Sequence, residues 1–126
     1  MTQDEIQEFI KNGHEQYKKL GYVECPAFRG EKVYFNKHGL RHLVRKEKKI
    51  RSIYEQVRRF RLLPSAPFIL EKQNQFQSNK IMLAGGKVLY FWVFCKTINS
   101  IKIRLIVRQV GKGRKHFFSI MDEVDI

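Results

Sequence analysis

Arg104 and Arg108 lie four residues apart in the stretch Ser100 to Val110, and Ser119 falls in the stretch that follows, Lys115 to Met121. Arginine stays charged at physiological pH and presents a planar fork of donors that matches phosphate oxygens. A hydroxyl beside two such forks adds one more hydrogen bond. This combination suits recognition of a phosphate ester. The same residues also fit an ordinary amphipathic hairpin with solvated arginines, because alternation is the default strand pattern.

The elements needed to position them can be read locally. Ile101, Ile103, Leu105 and Val107 share one face of the first strand, and Lys102, Arg104, Ile106, Arg108 and Val110 share the other. Gly111-Lys112-Gly113-Arg114 is a turn in which glycine takes positive φ without steric cost. Closing the hairpin over Lys112-Gly113 pairs Val107 with Phe118 and Leu105 with Ile120 on the apolar face. On the other face Arg108 meets Phe117, Ile106 meets Ser119, and Arg104 meets Met121. This register puts His116 opposite Gln109, on the apolar side. A slip of one residue would bury arginines, so the buried face resists it.

Composition narrows the class of partner. The 126 residues carry 25 Lys and Arg against 12 Asp and Glu, a net charge of +13, with a pI near 10.0. A field of that sign favours polyanions, and nucleic acid is the commonest one. The length fits a single domain over 1-126, and ten Phe with 43% hydrophobic residues fit a packed core. The longest apolar run, Val88 to Cys95, is strand-sized rather than membrane-spanning. The amino terminus is polar and acidic, unlike a signal peptide, so a cytoplasmic chain with no membrane partner is expected. Cys25 and Cys95 lack metal-ligand spacing and are expected as free thiols, with Cys95 buried in its strand. No cofactor is expected.

The remaining chain reads as helices first and strands after. Thr2 and Glu5 form a capping-box pattern for a helix ending before Gly21. Short strands are expected in Tyr22 to Phe28 and at Val33-Tyr34-Phe35. Asn36 is a candidate N-cap for a helix from Lys37 to Lys46. A third helix is expected from Lys48 to Leu62, with Ile50, Ile53, Tyr54 and Val57 as its core face. Pro64 and Pro67 end it, and Phe68-Ile69-Leu70 begins a strand. Ile81 to Ala84 and Val88 to Cys95 are further strands, the second with both faces covered. The acidic tail from Asp122 to Ile126 is expected to be exposed. The fold class is α+β, with N-terminal helices packed on one face of a C-terminal antiparallel sheet of about four strands, the other face open. Gly85-Gly86-Lys87 lacks the remainder of a P-loop. Nine basic residues against two acidic ones between Arg41 and Arg61 supply a second cationic region.

Three stretches in this order resemble the barnase–EndoU–colicin D–RelE-like nuclease superfamily, especially its phage and mobile-element branch. They are Val33 to Leu43 with its Gly-Leu-Arg-His-Leu run, Arg61 to Leu70, and Ile103 to Ile120. The resemblance implies metal-independent RNA cleavage, often by a toxin, with an acidic antitoxin or immunity protein as partner. It points to His42 as acid/base group and to Ser119 as a phosphate-orienting hydroxyl. Cleavage without a metal needs a base for the 2′-hydroxyl, an acid for the 5′-oxygen and cations around the phosphorane. Arg104 and Arg108 are the candidate cations. Histidine titrates near neutral pH, and His116 is the second acid/base candidate beside His42. Arg41, Arg45, Lys102, Lys112, Arg114 and Lys115 are candidate contacts to flanking phosphates, and Tyr34 and Phe117 candidate stacking rings. The alternative is a non-catalytic basic protein that binds RNA or DNA through the same surface.

Overall fold

The computed structural model describes residues 1–123. Helix α1 (Gln3–Leu20) leads into β1 (Tyr22–Cys25), a 3-10 turn (Pro26–Phe28) and β2 (Glu31–Tyr34). Helix α2 (Lys37–Val44) is followed by two very short strands, β3 (Arg45–Lys46) and β4 (Lys49–Ile50). Helices α3 (Ile53–Leu62) and α4 (Ser65–Lys72) come next, then β5 (Ser78–Ala84), β6 (Lys87–Ile98), β7 (Ile101–Val110) and β8 (Lys115–Asp122). The class is α+β, with helices concentrated in the first half and long strands in the second.

The four C-terminal strands form the expected antiparallel meander, and β1 and β2 extend it to six in the order β1-β2-β8-β7-β6-β5. The β2–β8 joint is parallel and short, with only Val33↔Lys115 and Tyr34↔His116 in register. Beyond that joint α2 and α3 pack along β8. One sheet face carries the core: Val33, Phe94, Ile103, Leu105, Val107, Phe117 and Ile120 are buried with Tyr17, Leu43, Phe60, Leu63, Ile69 and Leu70 from the helices. The opposite face stays accessible, with Phe91, Val93, Ile106 and Arg108 only half-buried.

Local chemistry explains the helix starts. Thr2 accepts from the Glu5 amide at 3.1 Å while Glu5 accepts from the Thr2 amide at 3.0 Å, a complete capping box. Asn36 caps α2, its side-chain oxygen accepting from the amides of His38 and Gly39 at 3.1 and 3.4 Å. Gly39 is required by closeness: a Cβ there would meet the Phe117 carbonyl oxygen at 2.5 Å.

Several expectations are corrected. Phe68 to Leu70 is helical, because Pro67 sits in the first turn of α4, where its missing N–H costs nothing, and Ala66, Ile69 and Leu70 then bury at helical spacing. The second helix stops at Val44, and a tight β3–β4 hairpin turning through Glu47, at φ 56°, delays α3 to Ile53. The buried side of α3 is Gln56, Arg59 and Phe60, whereas Ile50, Ile53 and Tyr54 are 67%, 50% and 75% exposed. Cys25 is the buried thiol and Cys95 is half-buried. Strand β6 is only partly covered, with Phe94 its single buried residue. Asp122 belongs to β8 and pairs with Ile103; the rest of the expected tail beyond Glu123 lies outside the described residues. None of the helices among the described residues is long and apolar enough to cross a membrane.

Candidate nucleic-acid interface and active site

The β7–β8 register decides which side chains meet. Arg104↔Met121, Leu105↔Ile120 and Ile106↔Ser119 pair as expected, but Val107 then faces Phe117 and Arg108 faces His116. A bulge leaves Phe118 without a partner of its own. The single extra residue reverses the faces beyond it. Phe117 enters the core, which removes it as a stacking ring, and His116 comes beside Arg108 rather than Gln109.

Across from Arg108, helix α2 presents His38, Arg41 and His42 at i, i+3 and i+4, and β3 continues that side with Arg45 and Lys46. Together with Glu47, Arg108 and Phe118 these residues line a basin of about 530 Å³. Phe118 forms its floor. Its ring stacks on His42 at 4.2 Å between centroids, meets Phe91 edge-on at 5.7 Å, and lies 4.5 Å beneath the Arg108 guanidinium. His38 is exposed at the rim, its ring 5.7 Å from that of His116.

Each inner histidine is tied to an arginine. Arg108 Nε donates to His116 Nε2 at 3.0 Å. Arg51 donates through Nη2 to His42 Nε2 at 3.2 Å and through Nε to the His42 carbonyl at 2.9 Å. Burial and then Arg108 push the His116 pKa down to about 4. Burial, followed by Arg51, Arg59, Arg108 and Lys46, pushes His42 down to about 4 as well. His38 is lowered by burial and by Arg108, Lys37 and Arg41. At neutral pH His42 and His116 are therefore uncharged rings whose acceptor nitrogens hold arginines in place.

The other sequence candidates disperse. Ser119 is 1% exposed and is an anchor rather than a surface hydroxyl, because the Arg59 guanidinium donates to Ser119 Oγ at 3.2 Å and to the Ile120 carbonyl at 3.1 Å. Arg104 shares the accessible face with Arg108 but stands four residues along, about 13 Å away, outside the basin lining. Its Nε is buried without a protein acceptor, as is that of Arg45. Lys115 lies on the core side, 5.0 Å from the Trp92 ring and bonded to Glu31 at 2.8 Å, so it faces no phosphate. Lys102 pairs with Glu123 at 3.3 Å, and Lys112 and Arg114 are exposed in the β7–β8 turn.

His38, Lys46, Glu47, Arg51 and Phe118 are site residues that the sequence reading did not select. The spacing of His38, Arg41, His42 and Arg45 was a usable signal. The position of Phe118 was not, since it depends on the bulge. A larger hollow of about 660 Å³ is lined mainly by apolar groups, including Ile6, Ile53, Tyr54 and Ile101, and no sequence-selected site residue reaches it. Among the described residues no three His, Cys, Asp or Glu side chains gather closely enough to hold a metal ion.

Compared with known proteins, the chain matches no protein-family model, no curated protein and no solved structure.

Proposed function

We propose that this protein is a cytoplasmic, metal-independent endoribonuclease whose site is the basin between α2 and β7–β8. One observation carries the reading: the imidazoles of His38 and His42 and the guanidinium of Arg108, which the buried His116 holds from behind, converge with Arg41 and Arg45 on one open hollow of a chain with net charge +13. The cations provide a clamp for a phosphodiester and for the charge that builds on its oxygens in the transition state. His38, exposed at the rim, is the base: it takes the proton of a ribose 2′-hydroxyl. That oxygen then attacks the neighbouring phosphorus, the bond to the 5′-oxygen breaks, and solvent in the open basin supplies that oxygen with its proton. The products are a 2′,3′-cyclic phosphate and a 5′-hydroxyl. His116 and His42 act as positioning residues for Arg108 and Arg51. A site of this kind is dominated by cations and is slow, in keeping with the RelE-like end of the resembled superfamily. The same resemblance extends the proposal to a toxin or mobile-element nuclease with an acidic antitoxin or immunity partner.

Non-catalytic RNA binding is the second reading. It is favoured by the acceptor nitrogens of His42 and His116 already being taken by arginines. The test is incubation of purified RNA and of ribosomes in excess EDTA with the wild type and with folded His38→Ala and Arg108→Ala variants. Cleavage by the wild type, reduced at least 100-fold in both variants and leaving cyclic-phosphate ends, supports the nuclease. RNA binding without cleavage of either substrate supports the binding protein. Cleavage abolished by EDTA overturns the metal-independent mechanism.

A further inference from the structure

The six strands bring one side chain each into a single row across the accessible face. Tyr22, Tyr34, His116, Arg108, Phe91 and Lys80 are register partners in sequence from β1 to β5. With strands about 4.8 Å apart, the row is about 24 Å long. At its centre Arg108 lines the basin, and His116, buried beside it, is bonded to the Arg108 guanidinium. Its β1–β2 end is a pair of tyrosines, 5.6 Å apart between ring centroids, with Tyr22 47% exposed. A cation accompanies each ring: Lys32 Nζ lies 4.4 Å from the Tyr22 centroid, and the Arg114 guanidinium lies 4.5 Å from that of Tyr34.

We propose that Tyr22 and Tyr34 form a base-stacking subsite for single-stranded RNA, continuous with the basin that holds the phosphodiester. The inference rests on the reading of that basin as a phosphodiester site, and it adds the form of the substrate. A π-face paired with a cation at each step is what one nucleotide presents in complement, a base and a phosphate. Tyr34 and Tyr22 are two and three strands from Arg108, or about 10 and 14 Å, so a strand crossing the basin reaches them without bending away from the sheet. In a duplex the bases are already stacked on one another, and only an unpaired strand can offer a free face to these rings.

The experiment compares an eight-nucleotide RNA with an abasic oligonucleotide of equal length and phosphate number, by fluorescence anisotropy at one salt concentration. A duplex of the same sequence is the third probe. The wild type is expected to bind the base-containing single strand about 10- to 100-fold more tightly than the abasic one, and more tightly than the duplex. Tyr22→Leu/Tyr34→Leu, which keeps strand-compatible apolar side chains, is expected to bind both single strands with the abasic affinity. Tyr22→Phe/Tyr34→Phe retains the wild-type preference. Equal binding of base-containing and abasic strands by the wild type overturns the stacking subsite and leaves the basin reading standing. So does a leucine variant that weakens both strands alike. Failure of the wild type to bind any of the probes overturns the basin reading and the subsite with it.

Discussion

His116 carries the clearest consequence at the scale of single residues. Its pKa, about 4 in the fold against about 6.5 in an unfolded chain, makes the native state the poorer proton binder between those values. The unfolded chain takes up more protons there, so stability falls as pH drops from about 6.5 to about 4. His42 acts in the same direction. The fall attributable to His116 is expected to be about 1–2 kcal/mol after allowance for solvent screening. Urea denaturation at pH 7 and pH 4.5 measures it, and His116→Gln, which keeps an acceptor for Arg108, should flatten the difference. Ser119 provides a contrast. Its hydroxyl accepts from Arg59 in a buried setting, so Ser119→Ala should lower stability by about 1–2 kcal/mol. RNA cleavage by the folded variant should change less than twofold, and a loss near that of Arg108→Ala would return Ser119 to the site.

At the scale of elements, α2 is the part on which the site depends. Asn36 fixes its start, and Gly39 lets it lie against β8. Asn36→Ala removes the cap and is expected to cost about 1 kcal/mol. It should also weaken RNA binding, because His38 is the residue whose amide the cap holds. Gly39→Ala is the harsher change. The added Cβ meets the Phe117 carbonyl and ring as well as the hydroxyl of the buried Tyr17, which is bonded to the Asn36 carbonyl, so α2 must lift from β8. A loss of about 1–3 kcal/mol is expected, with RNA binding reduced even where the variant remains folded. Thermal melting and anisotropy on the same preparations separate the two effects.

The whole molecule sets the salt dependence. A chain of net charge +13 gathers polyanions from a distance, but only cations that contact phosphate contribute to the salt slope. For single-stranded RNA each such contact adds about −0.7 to the slope of log K against log salt. Arg108→Ala is therefore expected to make the slope shallower by about 0.7. Lys115→Ala, whose ammonium is bonded to Glu31, should leave it unchanged. A titration from 50 to 300 mM salt distinguishes these outcomes.

Much of this was present in the order of the residues alone. The capping box at Thr2 and Glu5, the Asn36 cap, the four-strand meander and the alternation that sets Arg104 and Arg108 on the face opposite the core all follow from neighbours a few positions apart, where sterics and local hydrogen bonds dominate. The basic side of α2 was legible in the same way. What only tertiary packing decided depends on distant partners. The Phe118 bulge put Phe117 into the core, where Gly39 of α2 lies against it, and His116 beside Arg108, which strand alternation alone does not give. Arg59 reached Ser119 across 60 positions, and Lys115 reached Glu31 across 84. Burial on α3 moved to Gln56, Arg59 and Phe60 because that side meets α1 and β8. In a sheet, a register shift of one residue changes the face of every side chain beyond it, and its energy comes from contacts that no local window contains.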